Sequence, residues 1–252
     1  MIAAAVVAAA LSGEQVLARA KDVFRAHTRP AYVTYVVDRH DRYGGRPDFE
    51  NSYQLKVWCR TADRSALTRR AWAGRAGGEL IHETVAFDGR VDPGPPTADI
   101  FERALYSAAT PAPAASNEPP AIGAISVAVE YDYRVASIDE DGADWHLRLE
   151  PRRDPERNRI DDLWVNRDSF EVHRMRVRDH LYLDTGPVID DEFDVHFTML
   201  SGLPVIAAID GITHGGVFET SYRFHDLAFP PALPAWYFQP KLYGEHLADA
   251  PS

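Results

Sequence analysis

The chain has 252 residues, 45% of them hydrophobic and 11% aromatic, enough apolar mass for a large core in a length that all-β folds often use as one domain. Lys and Arg number 27 against 38 Asp and Glu, a net charge of −11, which opposes attraction to a polyphosphate and argues against nucleic acid as a partner. Cys59 is the only cysteine, so neither an intrachain disulfide nor a cysteine-rich zinc site can form.

Residues 2–11, IAAAVVAAAL, form an apolar run too short to span a bilayer and of the length of a signal-peptide core. With Ala8 and Ala10 at small-x-small positions, residues 1–12 read as a signal peptide, and the expected location is periplasmic or otherwise exported. Glu14 stands where a lipobox would place its cysteine, so no lipid anchor is expected there.

Ser12 and Gln15 form a capping box ahead of Val16, Leu17, Ala20, Val23 and Phe24 at helical spacing. The pattern predicts a helix over 13–27, ended by Thr28-Arg29-Pro30 because the residue before a proline avoids the α region. From Ala31 the period changes to two. Residues 31–39 and 53–59 predict a hairpin around DRYGGRPD, and LTRRAWAG and ELIHETVAF predict two more strands, with Asp88-Gly89 as a turn. Cys59 falls inside a strand and is expected in the core.

Residues 98–109, ADIFERALYSAA, return to helical spacing with Ile100, Phe101, Ala104 and Leu105 on one stripe. The Pro/Ala-rich segment TPAPAASNEPP is read as a surface loop within one domain. Strict alternation resumes at 127–135 and again at Trp145, Leu147 and Leu149 across the Asp141-Gly142 turn. LWV, VHRMRV, FDVHFTM, PVIAAI and VFETSYRF follow, the last with Phe218, Tyr222 and Phe224 on one face. About ten strands joined mostly by short turns predict a mainly β fold with a few helices: an antiparallel meander that curls into an open sheet or a barrel.

No HExxH, GxSxG or phosphate-loop motif is present. Asp38, His40 and Asp41 gather at the first hairpin, and His173, His180, His196, His214 and His225 punctuate the later strands. They read as polar positions on the wet side of half-buried strands. No metal and no cofactor is expected. Residues 179–252 carry two cations against eleven carboxylates, whereas Arg174, Arg176 and Arg178 alternate on one strand face with His180 and Tyr182. That stripe suits a lipid headgroup or an acidic partner, against the plainer reading of a solvated face.

The order of helix, strands, midway helix and loop, and strands again resembles the periplasmic lipoprotein-carrier superfamily over about residues 13–229. LWVNRDSFEVHRMRV, residues 163–177, resembles its strand-turn-strand pair, and HETVAFDGRV, residues 82–91, is similar to its strand ending in Asp-Gly. The resemblance implies a non-enzymatic, half-open barrel over 13–252, its concave apolar face covered by the N-terminal and midway helices and shielding a lipid or an acylated protein. On that basis the ligand contacts are Ile100, Phe101, Leu105, Phe218, Tyr222 and Phe224. The C-terminal segment PPALPAWYFQPKLYGEHLADAPS departs from the family. A second reading is an envelope interaction or sensor module with a filled core, whose Trp236, Tyr237 and Phe238 dock a protein partner. A third is a hydrolase assembled from His and Asp residues of several strands.

Overall fold

The structure, a computed structural model, describes residues 11–43, 51–62, 65–73, 79–86, 95–105, 127–153, 155, 158–181, 189–213 and 218–249. Helix α1 spans Gly13–Ala26. The strands are β1 Tyr32–Tyr43, β2 Asn51–Arg60, β3 Ser65–Ala73, β4 Glu79–Ala86, β5 Glu102–Leu105, β6 Val127–Glu130, β7 Tyr133–Asp141, β8 Asp144–Pro151, β9 Ile160–Asn166, β10 Val172–Leu181, β11 Ile189–Leu200, β12 Leu203–Thr213 and β13 Phe218–Ala228. Helix α2 spans Pro240–Glu245.

Eleven of these strands form one sheet in the order β4-β3-β2-β1-β13-β12-β11-β10-β9-β8-β7. Every pairing is antiparallel, and the sheet is open because β4 and β7 stand at opposite edges. Pairing of β13 with β1 joins the two meanders. The β7 edge is blunted by its own chemistry: Glu14 of α1 accepts from the Val135 backbone N–H at 3.0 Å, and Asp139, Glu140 and Asp141 end the strand.

Turn residues set the registers. Gly142, at φ +61°, opens the two-residue turn between Asp141 and Asp144, and the Ser201-Gly202 turn between β11 and β12 is left-handed at both residues, φ 51° and 75°. Between β9 and β10 the Asn166 side chain accepts from the Asp168 and Ser169 backbone N–H groups. Phe170 follows at φ 61°, with the Arg19 guanidinium 5.1 Å from its ring centre.

Alternation gives the sheet two unlike faces. Directly paired residues run in one row across nine strands: Tyr53, Arg39, Tyr222, Ile209, Val195, Met175, Leu163, Leu147 and Ile138. All but Arg39 are apolar or aromatic. Helix α1 lies on this face at the β7–β11 end. Its Ser12 capping box is closed in both directions, and its Val16, Leu17, Ala20 and Phe24 are buried in the core. Leu147, fully buried, and Leu149 face the same core, with Trp145 half-buried against it, as their alternation predicted. Cys59 is buried in the β1–β3 part of the sheet.

Two expectations are corrected. Over the described part of the expected midway helix, residues 98–105, no helix forms: residues 95–101 form turns, and Glu102–Leu105 is β5, paired with β6 in a separate two-stranded sheet. The Asp99 side chain accepts from the Phe101 backbone N–H at 2.9 Å, closing a local turn that competes with a helix. The partner that makes 102–105 a strand lies more than twenty residues away, beyond the reach of any local period. The second correction concerns 127–135, which is two strands. Tyr131 donates its backbone N–H to Phe101 and Asp132 donates to the Asn158 side chain, so the chain leaves the small sheet for the large one between them. The Asp88-Gly89 turn, DRYGGRPD beyond Tyr43, His214, Tyr182, TPAPAASNEPP and the apolar run 2–10 lie outside the described residues.

Candidate ligand-binding face

Buried side chains on the apolar face divide into two clusters. One joins α1 and Phe101 to Leu147, Leu163, Val165, Met175 and Val195. The other joins Val33, Tyr35, Val37, Leu55, Val57, Tyr222 and Phe224. Ile206 and Ile209 of β12 are half-buried and pack against both, so β12 is a seam between them. The segment 95–101 is tied to that seam by the Ile206 N–H, which donates to the Pro96 carbonyl at 3.0 Å. Room for an aromatic ring is left at Gly211, where an added Cβ would stand 2.5 Å from the Phe193 ring.

The predicted contacts distribute unevenly over this arrangement. Ile100 and Phe101 belong to the α1 cluster, with Phe101 edge-on to Phe24 at 5.5 Å between ring centres. Tyr222 and Phe224 belong to the second cluster. Among the described residues, Ile206 and Ile209 of the seam pack against both groups. Leu105 lies in β5 and Phe218 in β13, but their side chains are outside the described residues.

Arg174, Arg176 and Arg178 lie on the opposite, polar face, where carboxylates meet them. Arg174 donates through both Nε and a terminal nitrogen to Asp194, at 3.1 and 2.7 Å, and its guanidinium covers the Trp164 ring at 4.2 Å. Arg176 bridges Glu192 and Asp194 at 3.0 and 3.3 Å, and Arg178 holds Asp161 at 2.7 Å. Burial works against charge on Asp194, but the hydrogen bonds from Arg174 and Arg176 outweigh it and hold this carboxyl below the ordinary range. His146 stacks flat on Trp164 at 4.5 Å and bonds Asp162 at 2.8 Å. The arginine stripe is thus a cross-strand charge ladder.

Alternation also divides Asp38, His40 and Asp41, which the sequence places together. Asp38 and His40 are on the polar face, bonded to His225 and Ser52. Asp41 is on the apolar face with Arg39, two residues along the same strand. Arg39 Nε donates to Asp41 Oδ1 at 2.8 Å, one of its terminal nitrogens donates to the Tyr53 hydroxyl at 3.1 Å, and the guanidinium lies 5.5 and 5.2 Å from the Tyr53 and Tyr222 rings. The Thr220 hydroxyl donates to the same Asp41 oxygen at 2.6 Å. Burial opposes the Arg39 charge, and the hydrogen bond to Asp41 with the flanking tyrosines more than restores it, raising its pKa above the ordinary arginine value.

Sequence reasoning missed Arg39, Thr220, Ile206 and Ile209 and misplaced Asp41. The signal for Arg39 and Asp41 was present: in YVTYVVDRHDRY they continue the period-two series Val33, Tyr35, Val37. Ile206 and Ile209 are three apart because a bulge at Ala207 breaks the alternation of β12, which hides their shared face from a pattern of two.

The C-terminal aromatics fold back on the polar face of β1 and β2. Tyr237 meets Trp58 edge-on at 6.3 Å, Phe238 stacks on Tyr32 at 6.2 Å beneath Arg60, and Trp236 stacks on His246 at 4.9 Å. All three therefore have partners within the chain.

No family model and no curated protein matches the chain. Among solved structures, a LolA superfamily protein from Nitrosomonas europaea aligns with 92% of this chain and 99% of its own at 11% identity and a TM-score of 0.42. A DUF1329 family protein from Desulfovibrio piger aligns over 90% and 97% at 13% identity and TM-score 0.43. A candidate outer membrane lipoprotein-sorting protein domain from Vibrio parahaemolyticus aligns over 92% and 99% at 10% identity and TM-score 0.47.

Proposed function

We propose that this chain is an exported, non-enzymatic carrier that holds the alkyl chains of a lipid or an acylated protein against the apolar face of its open sheet. The observation that carries the reading is the seam: Ile206 and Ile209 stay half-buried between two closed apolar clusters, at the middle of the sheet where a solid core would be tightest. Burial of an alkyl chain there contributes about 0.8 kcal/mol per methylene. The open sheet gives such a chain access that a closed barrel would deny, and the expected export route is the apolar run 2–11. No described helix is long and apolar enough to cross a membrane.

Protein purified without detergent and extracted with organic solvent is expected to release lipid by mass spectrometry, and delipidated protein to bind cis-parinaric acid with a saturable rise in fluorescence. Absence of both lipid and saturable binding overturns the reading. Export is tested separately, by N-terminal sequencing of protein from the periplasm, where a mature start near Ser12 is expected.

A further inference from the structure

Gly211 lies inside β12, two residues beyond Ile209 and on the same apolar face. A glycine within a strand weakens it and marks a close approach of another group. Its backbone is not left-handed, unlike that of Gly142 and Gly202, so its neighbours and not its conformation call for glycine. Phe193 of β11 and Thr220 of β13 pair with it from either side. A Cβ added at Gly211 would stand 2.5 and 2.6 Å from Phe193 Cε1 and Cδ1, and 2.9 Å from Thr220 Cγ2. The Phe193 ring and the Thr220 methyl thus close over β12 from both flanks. Gly211 is buried although it carries no side chain, whereas the far larger Ile206 and Ile209 before it stay half-buried. The Thr220 hydroxyl is engaged with Asp41 at 2.6 Å, so the surface that meets the seam at Gly211 is carbon.

We infer that Phe193 is the end-stop of the seam: the terminal methyl of a bound alkyl chain abuts its ring, and this residue sets how much of the chain the protein shields. The inference rests on the carrier reading above and adds to it a limit on chain length. At the other end of the seam the Ile206 N–H is held by the Pro96 carbonyl. From residue 206 to residue 211 an extended strand advances about 16 Å. Methylenes inside that span leave water, and those beyond it stay solvated. A ring laid over a cross-strand glycine also supports the sheet by itself, so chain length, and not stability, separates the two roles.

Displacement of cis-parinaric acid from the full chain by the even-numbered saturated carboxylates from octanoate to hexadecanoate, each below its micellar concentration, reads that limit. In the wild type, affinity is expected to rise about fourfold per methylene, the burial of one methylene converted to a binding constant, up to one chain length and to stay level beyond it. In Phe193→Ala the rise is expected to continue for at least one further member of the series, and Phe193→Leu, which keeps an apolar side chain over Gly211, is expected to move the break the same way by less. A purely structural Phe193 would weaken every length by one factor and leave the break in place. Without any substitution, dodecanoate labelled at its terminal methyl is expected to give a nuclear Overhauser contact from that methyl to the Phe193 ring. An affinity that climbs through hexadecanoate with no break overturns the end-stop and leaves the carrier reading intact, as does a break that neither variant moves, or a terminal methyl that makes no contact with the ring. Failure of the probe and of every carboxylate to bind overturns both.

Discussion

Ile209 stands directly across from Tyr222 in the β12–β13 pairing, and through this pair the two apolar clusters of the sheet meet. A ligand chain that spans both clusters has to cross Ile209. Ile209→Glu is expected to weaken cis-parinaric acid binding at least tenfold, because a carboxylate on that path keeps its water. The position is half-buried, so the new charge stays hydrated and the fold persists, with an unfolding midpoint above that of a fully buried truncation. Unchanged affinity in the variant would place the chain elsewhere.

Leu147 supplies that reference truncation. It is fully enclosed between Leu163 and Ile138 in the row and belongs to the α1 cluster. Leu147→Ala is expected to cost about 2–5 kcal/mol in urea unfolding, from lost transfer energy plus the cavity left behind. A loss under about 1 kcal/mol would contradict a packed core beneath α1.

The start of α1 is held by two separable features. Ser12→Ala removes the cap and is expected to cost about 1 kcal/mol. Gly13 presents a different problem, since a Cβ there would stand 2.5 Å from Val135 Cγ1. Gly13→Ala is therefore expected to destabilise more than Ser12→Ala, although alanine is the better helix former. Faster amide exchange at Val16 and Leu17 in Gly13→Ala would locate the effect in the first turns.

Asp194 gives a dependence on acid. Its folded pKa is lowered by Arg174 and Arg176, so the stability it contributes is fully present above the unfolded aspartate value, about 3.9, and is lost as the pH falls through the lower folded value. The difference in unfolding free energy between the wild type and Asp194→Asn is expected to be constant from pH 7 to about 5 and to shrink below about 4. A gap that persists unchanged at the acid end would show that the ladder does not depend on this charge.

Local chemistry determined much of this protein from the sequence alone. The Ser12–Gln15 box and its apolar stripe mark α1 within one residue of its observed end, because capping and helical spacing are satisfied inside one segment. Asp141-Gly142 and the alternation of Trp145, Leu147 and Leu149 likewise give β8 and its buried face. Tertiary structure alone decided the rest. The strip Ile100, Phe101, Leu105 carries a helical period, yet Glu102–Leu105 is a strand because β6 is there to pair with it. Tyr131-Asp132 leaves no mark in the alternation of 127–135, because bonds to Phe101 and Asn158 divide it. Arg39 and Asp41 look like the polar end of a hairpin until the pairing of β1 with β2 and β13 encloses them between Tyr53, Tyr222 and Thr220. A period reports which way a side chain points from its own strand. What it then faces depends on strands distant in the chain, whose pairing is set by the burial and hydrogen bonding of the whole sheet.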